Sequence, residues 1–329
     1  MLKRRVRFMF TGSIVLAALS VLAATAHAND AGTFPDKPMR LIVTFPPGGG
    51  TDVLARLVAT ELSQNVGQPV IVENRPGASG NIGAELVAKS PPDGLTMLVV
   101  NSSYAINPAV FRKMPFDARN DLKGVIEIAT VPSVIAVPTG SKIQTLAELI
   151  EAAKSGKSVS YASCGTGTPQ HLAGELLKLA AGANLTHIPY KGCAPAITDV
   201  LGGQVEVSIN TLANTVPHLK SGKLRALAVT SKARVPLLPE VASVQELGIN
   251  GYDVDQWFGF LVPAKTPRAI VSKLNTDIAK IMDRPDMKQK LAERGFVVTT
   301  STPEEFQRLI RDDLDRFEQV ARKIGLSMD

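Results

Sequence analysis

The chain has 329 residues, 45% of them hydrophobic and 5% aromatic, with a formal charge of +6. Residues 1 to 28 hold Lys3, Arg4, Arg5 and Arg7 and no acidic residue, so subtracting those four charges leaves only +2 on the remainder. With no basic run there and few aromatics, neither nucleic acid nor an anionic lipid surface is implied as a partner, and the length suits one large or two medium domains.

In chain order, the basic start runs into SIVLAALSVLAAT and then Ala26-His27-Ala28. This is the pattern of a cleaved secretory signal peptide with a small-residue cleavage site. Its apolar run is shorter than the roughly 20 residues a spanning helix needs, so a soluble, exported protein is expected. Short apolar runs then alternate with amphipathic segments: RLIVTF, LARLVATEL, VIVEN, IGAELVAK and TMLVVN. The rhythm resumes with SVIAVP, TLAELIEAAK, SVSYAS, HLAGELLKLAAG, LTHIPY, APAITDVLGG, VEVSIN and LRALAVTS. Such alternation predicts βαβ units and a mostly parallel sheet, in two α/β lobes.

Helix starts are marked at Thr168-Pro169, Thr266-Pro267 and Thr302-Pro303, each a capping threonine before a proline at the first helical position. Thr145 with Glu148, and Thr302 with Glu305, fit the capping box. Gly67, Gly182 and Gly295 read as stops. After Leu261-Val262-Pro263 the pattern changes to long helices, about 267 to 294 (broken at Pro285) and about 303 to 324, with no strand-rich lobe after them. They read as a cover on an earlier sheet. The expected boundaries are therefore 1–28 for the signal, 29–133 with 255–329 for a discontinuous first lobe, and 134–254 for the second.

FPPGGGTD, residues 45 to 52, joins a strand to a helix through Gly48, Gly49 and Gly50, with Thr51 or Asp52 as the expected cap. Glycine permits close approach of a ligand to the backbone. The first helical N–H groups lack internal acceptors and sit at the positive end of the dipole. Such a turn holds an anion without a charged side chain, although the Asp52 carboxylate competes for the same donors. SYASCGTGTPQHLAGE repeats the design with Gly165, Thr166 and Gly167 before Thr168-Pro169. Gly77-Ala78-Ser79-Gly80 supplies a third donor-rich turn, and Asn101-Ser102-Ser103 ends the next strand. One such loop is ordinary connection chemistry; two at strand carboxyl ends in different lobes point to a ligand. Neither a P-loop nor a G-x-G-x-x-G pattern is present, so carboxylate is favoured over phosphate.

Longer stretches, among them PDKPMRLIVTFPPGGGTD, VIVENRPGASGNIGAELVAKSPPDG, GTGTPQHLAGELLK, THIPYKGCAPAITDVLGGQVEV, SGKLRALAVTS and WFGFLVPAKTP, resemble the extracytoplasmic solute receptors of tripartite tricarboxylate transporters, the Bug family. The resemblance covers essentially the whole chain after the signal. It implies a periplasmic-binding-protein fold of the second type, with two lobes joined by crossover strands around a ligand cleft. It further implies no enzymatic activity, no cofactor, a small carboxylated solute and a membrane permease as partners, and a monomer. By the same resemblance the loops that hold the carboxylate correspond to Gly48, Gly49, Gly50, Thr51 and Asp52, and to Gly165, Thr166, Gly167, Thr168, Pro169, Gln170 and His171, with Ser102 and Asn210 reaching the rest of the solute.

Cys164 and Cys193 are the only cysteines, just past the ends of two strands expected to be parallel neighbours. In an oxidising compartment they read as a disulfide, with reduced thiols as the alternative. The spacing of these cysteines with His171 and His187 lacks the short paired ligands of a structural zinc site, so no metal is expected. His171 either caps locally or touches the ligand. Trp257 and Phe258 either line the cleft or pack in the core, and Lys191 either meets an anion or sits on the surface. An exported hydrolase using the glycine turns as an oxyanion hole, and a solute sensor feeding a signalling partner, are the competing functions.

Overall fold

The computed structural model describes residues 34 to 156 and 158 to 325; the expected signal peptide lies outside them. The elements are β1 (Met39–Val43), α1 (Gly50–Val66), β2 (Val70–Asn74), α2 (Asn81–Ala88), β3 (Thr96–Asn101), α3 (Ser103–Val110) and β4 (Leu122–Pro138). Then come α4 (Leu146–Lys154), β5 (Val159–Ser163), α5 (Pro169–Ala181), β6 (Leu185–Pro189), α6 (Cys193–Leu201), β7 (Val207–Thr211), α7 (Leu212–Lys220) and β8 (Leu224–Val229). The chain closes with β9 (Asp255–Pro263), α8 (Arg268–Met282), α9 (Pro285–Ala292), β10 (Val297–Val298) and α10 (Pro303–Ile324).

The strands form one sheet in the order β2-β1-β3-β9-β4-β7-β5-β6, with β8 and β10 also pairing with β4. Its two ends are parallel, as βαβ units require. Its middle is antiparallel, through β3–β9, β9–β4 and β4–β7. The 17-residue β4 belongs to both halves: up to Pro132 it pairs with β9, and from Ser133 with β7. Pro132 has no N–H to donate, which suits the point where a strand exchanges partners. Two register shifts in the β4–β9 ladder bend it further. No strand-rich lobe follows residue 263; the short β10 adds only two residues, opposite Ala129 and Thr130.

The helix signals translate unevenly. Thr302 and Glu305 form the complete capping box. Thr145 accepts from the Glu148 N–H, but the Glu148 carboxylate turns to the Gln144 N–H instead of closing the box. Thr266 does not cap: α8 starts one residue late, behind Pro267, and the Thr266 hydroxyl is buried without a partner among the described residues. Gly67 and Gly182 end their helices in the left-handed conformation, as expected.

The C-terminal helix α10 covers the shared middle of the sheet through Phe306. That ring meets Trp257 edge to face at 5.3 Å and fills the space above Gly124 and Gly259. The Trp257 indole N–H donates to Asp313 at 2.7 Å, so this tryptophan belongs to the core. A Cβ on Gly259 would come within 2.2 Å of the Phe306 ring and 2.7 Å of the Ile126 carbonyl. We therefore expect Gly259→Ala to lower unfolding free energy by about 1–3 kcal/mol in urea titration, while Gly140→Ala, where an added Cβ meets nothing within 4 Å, changes it little.

Candidate functional site

Four helices begin at the same place. A small cavity of about 50 Å³ is walled by Gly49, Gly50 and Thr51 at the start of α1, and by Thr168 and Gln170 at the start of α5. Gly192, Cys193, Ala194 and Pro195 opening α6, and Thr211 opening α7, complete the ring of helix starts. Asn101, Gln256 and Phe258 from the ends of β3 and β9 close it. No residue of this wall is charged. The N-caps of α1, α6 and α7 make no side-chain capping bond to their helices' first-turn N–H groups, so those groups and the dipole ends give the cavity its positive character.

The α1 turn is built for this. Its N-cap is Gly49, correcting the expected Thr51 or Asp52, and Gly48 adopts φ +83° to make the bend. The Asp52 carboxylate accepts the Gly48 N–H at 3.0 Å, together with Arg56 and an Asn74 amide at 2.9 Å. Burial pushes the Asp52 pKa up, but the Arg56 hydrogen bond, then Gly48 and Asn74, outweigh it and hold the carboxylate below its usual range. The competition expected of Asp52 is thus confined to one donor, Gly48, whose amide is taken. Thr51 is 3% exposed, and its hydroxyl accepts from the Asn101 amide at 3.5 Å.

The α5 loop is not a copy of the first. The Gly165 N–H goes to the Ser163 hydroxyl, the Gly167 N–H to His171 Nδ1, the Thr168 N–H to the Gly165 carbonyl and the His171 N–H to the Thr168 hydroxyl. Pro169 has no N–H to give. This loop offers the cavity side chains: Thr168, and Gln170, whose amide donates to Ser133 of β4 at 2.9 Å and Gln256 of β9 at 3.1 Å. Gln170 is thereby tied to the stretch where β4 changes partners.

Of the sequence-derived residues, the structure brings Gly49, Gly50, Thr51, Thr168 and Gln170 onto one wall. Gly165 and Thr166 line an adjacent, larger cavity instead. Gly48, Asp52, Gly167, Pro169 and His171 are not among the small cavity's wall residues. Ser102 is fully buried, with its N–H on the Trp257 carbonyl, and its hydroxyl has no partner among the described residues. Asn210 is fully buried and donates to the Cys193 carbonyl at 2.9 Å, fixing the start of α6 rather than facing the cavity. Sequence reasoning named Asn101 only as a strand end and missed Thr211, Gln256 and the α6 start as wall residues. The signal for two of these was available: Gly192-Cys193 and Thr211-Leu212 each follow a strand and open a helix.

Cys164 and Cys193 form the expected disulfide, with Cα atoms 4.2 Å apart, across the ends of the parallel β5–β6 pair. The bridge closes a loop of 29 residues, worth about 3–4 kcal/mol in the chain-entropy model, and clamps the α5 loop to the start of α6. Among the described residues no cluster could hold a metal ion.

A match to the model of the tripartite tricarboxylate transporter family receptor spans residues 54–326. The chain belongs to this receptor family. It is similar to the protein BugT of Bordetella pertussis, 35% identical, covering 95% of this chain and 98% of BugT. Among solved structures, R. palustris Rpa4515 with adipate is 36% identical with a TM-score of 0.86, over 90% of this chain and all of that one. MatC from Rhodopseudomonas palustris with bound malate is 29% identical with a TM-score of 0.82, over 87% and 99%. The fold is the two-lobed α/β fold of the family's periplasmic binding proteins, with β4 continuous between the lobes. No helix among the described residues is long and apolar enough to cross a membrane.

Behind the α5 loop, the rings of His171 and His187 stack 3.9 Å apart, and His187 Nε2 meets the Ser163 hydroxyl at 2.6 Å. Burial pushes His171 down to about 4, and burial with its neighbour His171 pushes His187 down to about 3. Both histidines are therefore neutral in the fold and must gain charge on acidification. The unfolded chain binds these protons first, so their stabilising contribution is full above the ordinary histidine pKa near 6.5 and is lost as pH falls from there towards 4. Denaturant titrations should show stability falling by on the order of a few kcal/mol over that window, with most of the drop absent in a His171→Phe, His187→Phe double variant.

Proposed function

We propose that the chain is a periplasmic receptor that captures a small carboxylate-containing solute between its two lobes, residues 29–133 with 255–329 and residues 134–254. It delivers the solute to a membrane permease of the tripartite tricarboxylate type. The protein acts as a monomer without cofactor or metal, and it is not an enzyme. Export follows from the amino-terminal signal sequence.

The observation that carries this reading is the convergence of uncapped helix starts on a cavity with no charged wall residue. Such a site suits one small anionic group, held by N–H groups that are already oriented and whose desolvation is already complete. Each hydrogen bond to a carboxylate contributes roughly 1.5–3 kcal/mol, so the bare amides at positions 49 to 51 with the Thr51 hydroxyl suffice for about micromolar affinity. The adipate- and malate-bound relatives support carboxylate as the class. Receptor is favoured over hydrolase because the wall hydroxyls, Thr51, Thr168 and Thr211, have no imidazole or carboxylate beside them in the wall, and a nucleophile needs a base within reach. Under this reading Gly48, Asp52, Gly165, Thr166, Gly167, Pro169, His171, Ser102 and Asn210 shape or extend the site, and the wall residues grip the anion.

Gly50→Pro isolates the backbone contribution. Proline is at home in the first helical position, and Gly49, at φ −79° and ψ 165°, already has the conformation a residue before proline prefers. Calorimetric titration with malate and adipate should give a Kd near micromolar for at least one acid in the parent protein. In Gly50→Pro that binding should weaken 10-fold or more with little change in melting temperature. Absence of binding by any mono-, di- or tricarboxylate to the parent protein contradicts the reading.

A further inference from the structure

A second cavity adjoins the first, sharing Phe45, Pro46, Cys164 and Gly192 as common wall, and it measures about 630 Å³. The two differ in kind. The inner one accepts little more than a single small polar group, whereas the outer one lies in the range that holds the body of a small-molecule ligand. Pro46, Pro76 and Pro189 together with the rings of Phe45, Phe111 and Tyr190 give it flat apolar faces. Lys191 is its single charged wall residue, exposed at the rim next to Tyr190. The turn that forms its far side is strained: Ala78 and Ser79 both hold positive φ, at +45° and +53°. The Ser79 hydroxyl donates to the Thr166 carbonyl, and its own carbonyl accepts from the Asn107 amide at 2.9 Å. Strain of this sort persists where the surroundings enforce it, commonly around ligands.

We infer that the solute is a rigid aryl dicarboxylate: one carboxylate enters the inner cavity, the ring lies between the proline and aromatic faces of the outer one, and the second carboxylate meets Lys191. The inference rests on the carboxylate-receptor reading and narrows it. A flat ring matches aromatic and proline faces, and a rigid body gives up less conformational freedom on binding than a flexible chain of similar length. An exposed ammonium reads the remote charge through a screened interaction, so this contribution fades with added salt.

The test is calorimetric titration of the purified chain with terephthalate, benzoate, adipate and malate at low and high salt, repeated with Lys191→Gln and Phe111→Ala. Terephthalate should bind at least 10-fold tighter than adipate. Lys191→Gln should weaken terephthalate several-fold and leave benzoate unchanged, and salt should reproduce that selectivity. Phe111→Ala should weaken both aryl acids more than adipate. Adipate or malate binding tighter than terephthalate, or Lys191→Gln affecting benzoate and terephthalate alike, overturns the aryl assignment and leaves the carboxylate receptor standing. Failure of all four acids to bind overturns both. Unchanged circular dichroism and melting temperature establish that the variants are folded.

Discussion

The structure depends on backbone N–H groups left without acceptors. A helix must begin somewhere, and its first three or four amides have no carbonyl within the helix to bond. A side-chain cap hides this defect in α4, α5 and α10, through Thr145, Thr168 and Thr302. At the cavity the defect is kept. Gly49 replaces a capping side chain at α1, Gly192 does so at α6, and Thr211 leaves its hydroxyl to Asn214 at α7. Keeping donors bare costs folding free energy; α2, α3, α8 and α9 also start without a side-chain cap, but at the cavity three such starts lie side by side.

Much of the remaining architecture serves to hold these starts in register. The disulfide ties the α5 loop to α6, Asn210 fixes the Cys193 carbonyl, and the Asp52 carboxylate steadies the α1 turn from below. Gln170 reaches from α5 to Ser133 and Gln256, and so joins the second lobe to the strand through which both lobes communicate. Because β4 runs unbroken from its pairing with β9 to its pairing with β7, the two halves of the sheet share one strand near Pro132.

The sequence made the local parts of this arrangement legible and left the non-local parts hidden. Glycine runs, threonine–proline starts and alternating apolar runs report local backbone preference, so the strands, most helix starts and the α1 turn were readable. The adjacency of Cys164 and Cys193 was readable as well, because it follows from the parallel order of two neighbouring strands. The two loops resemble each other in sequence, yet one spends its amides on Ser163, His171 and its own carbonyl. Those partners are set by side-chain rotamers, and glycine spacing does not encode them. Gln256 escaped notice, and Asn101 read only as a strand end, for a different reason. A polar residue inside an apolar strand becomes meaningful only once sheet order places the strand end beside a helix start. Thr266 shows the converse, a local signal overridden by packing against Pro263 and Lys123.

The central claim concerns particular protons, and amide NMR observes them. On titration of isotope-labelled protein with malate or adipate, the Gly49, Gly50 and Thr51 amide protons should move downfield together and saturate at the dissociation constant found by calorimetry. The Gly165 and Gly167 amides, already bonded within the protein, should move far less. Saturable binding that leaves residues 49 to 51 unshifted would contradict the account.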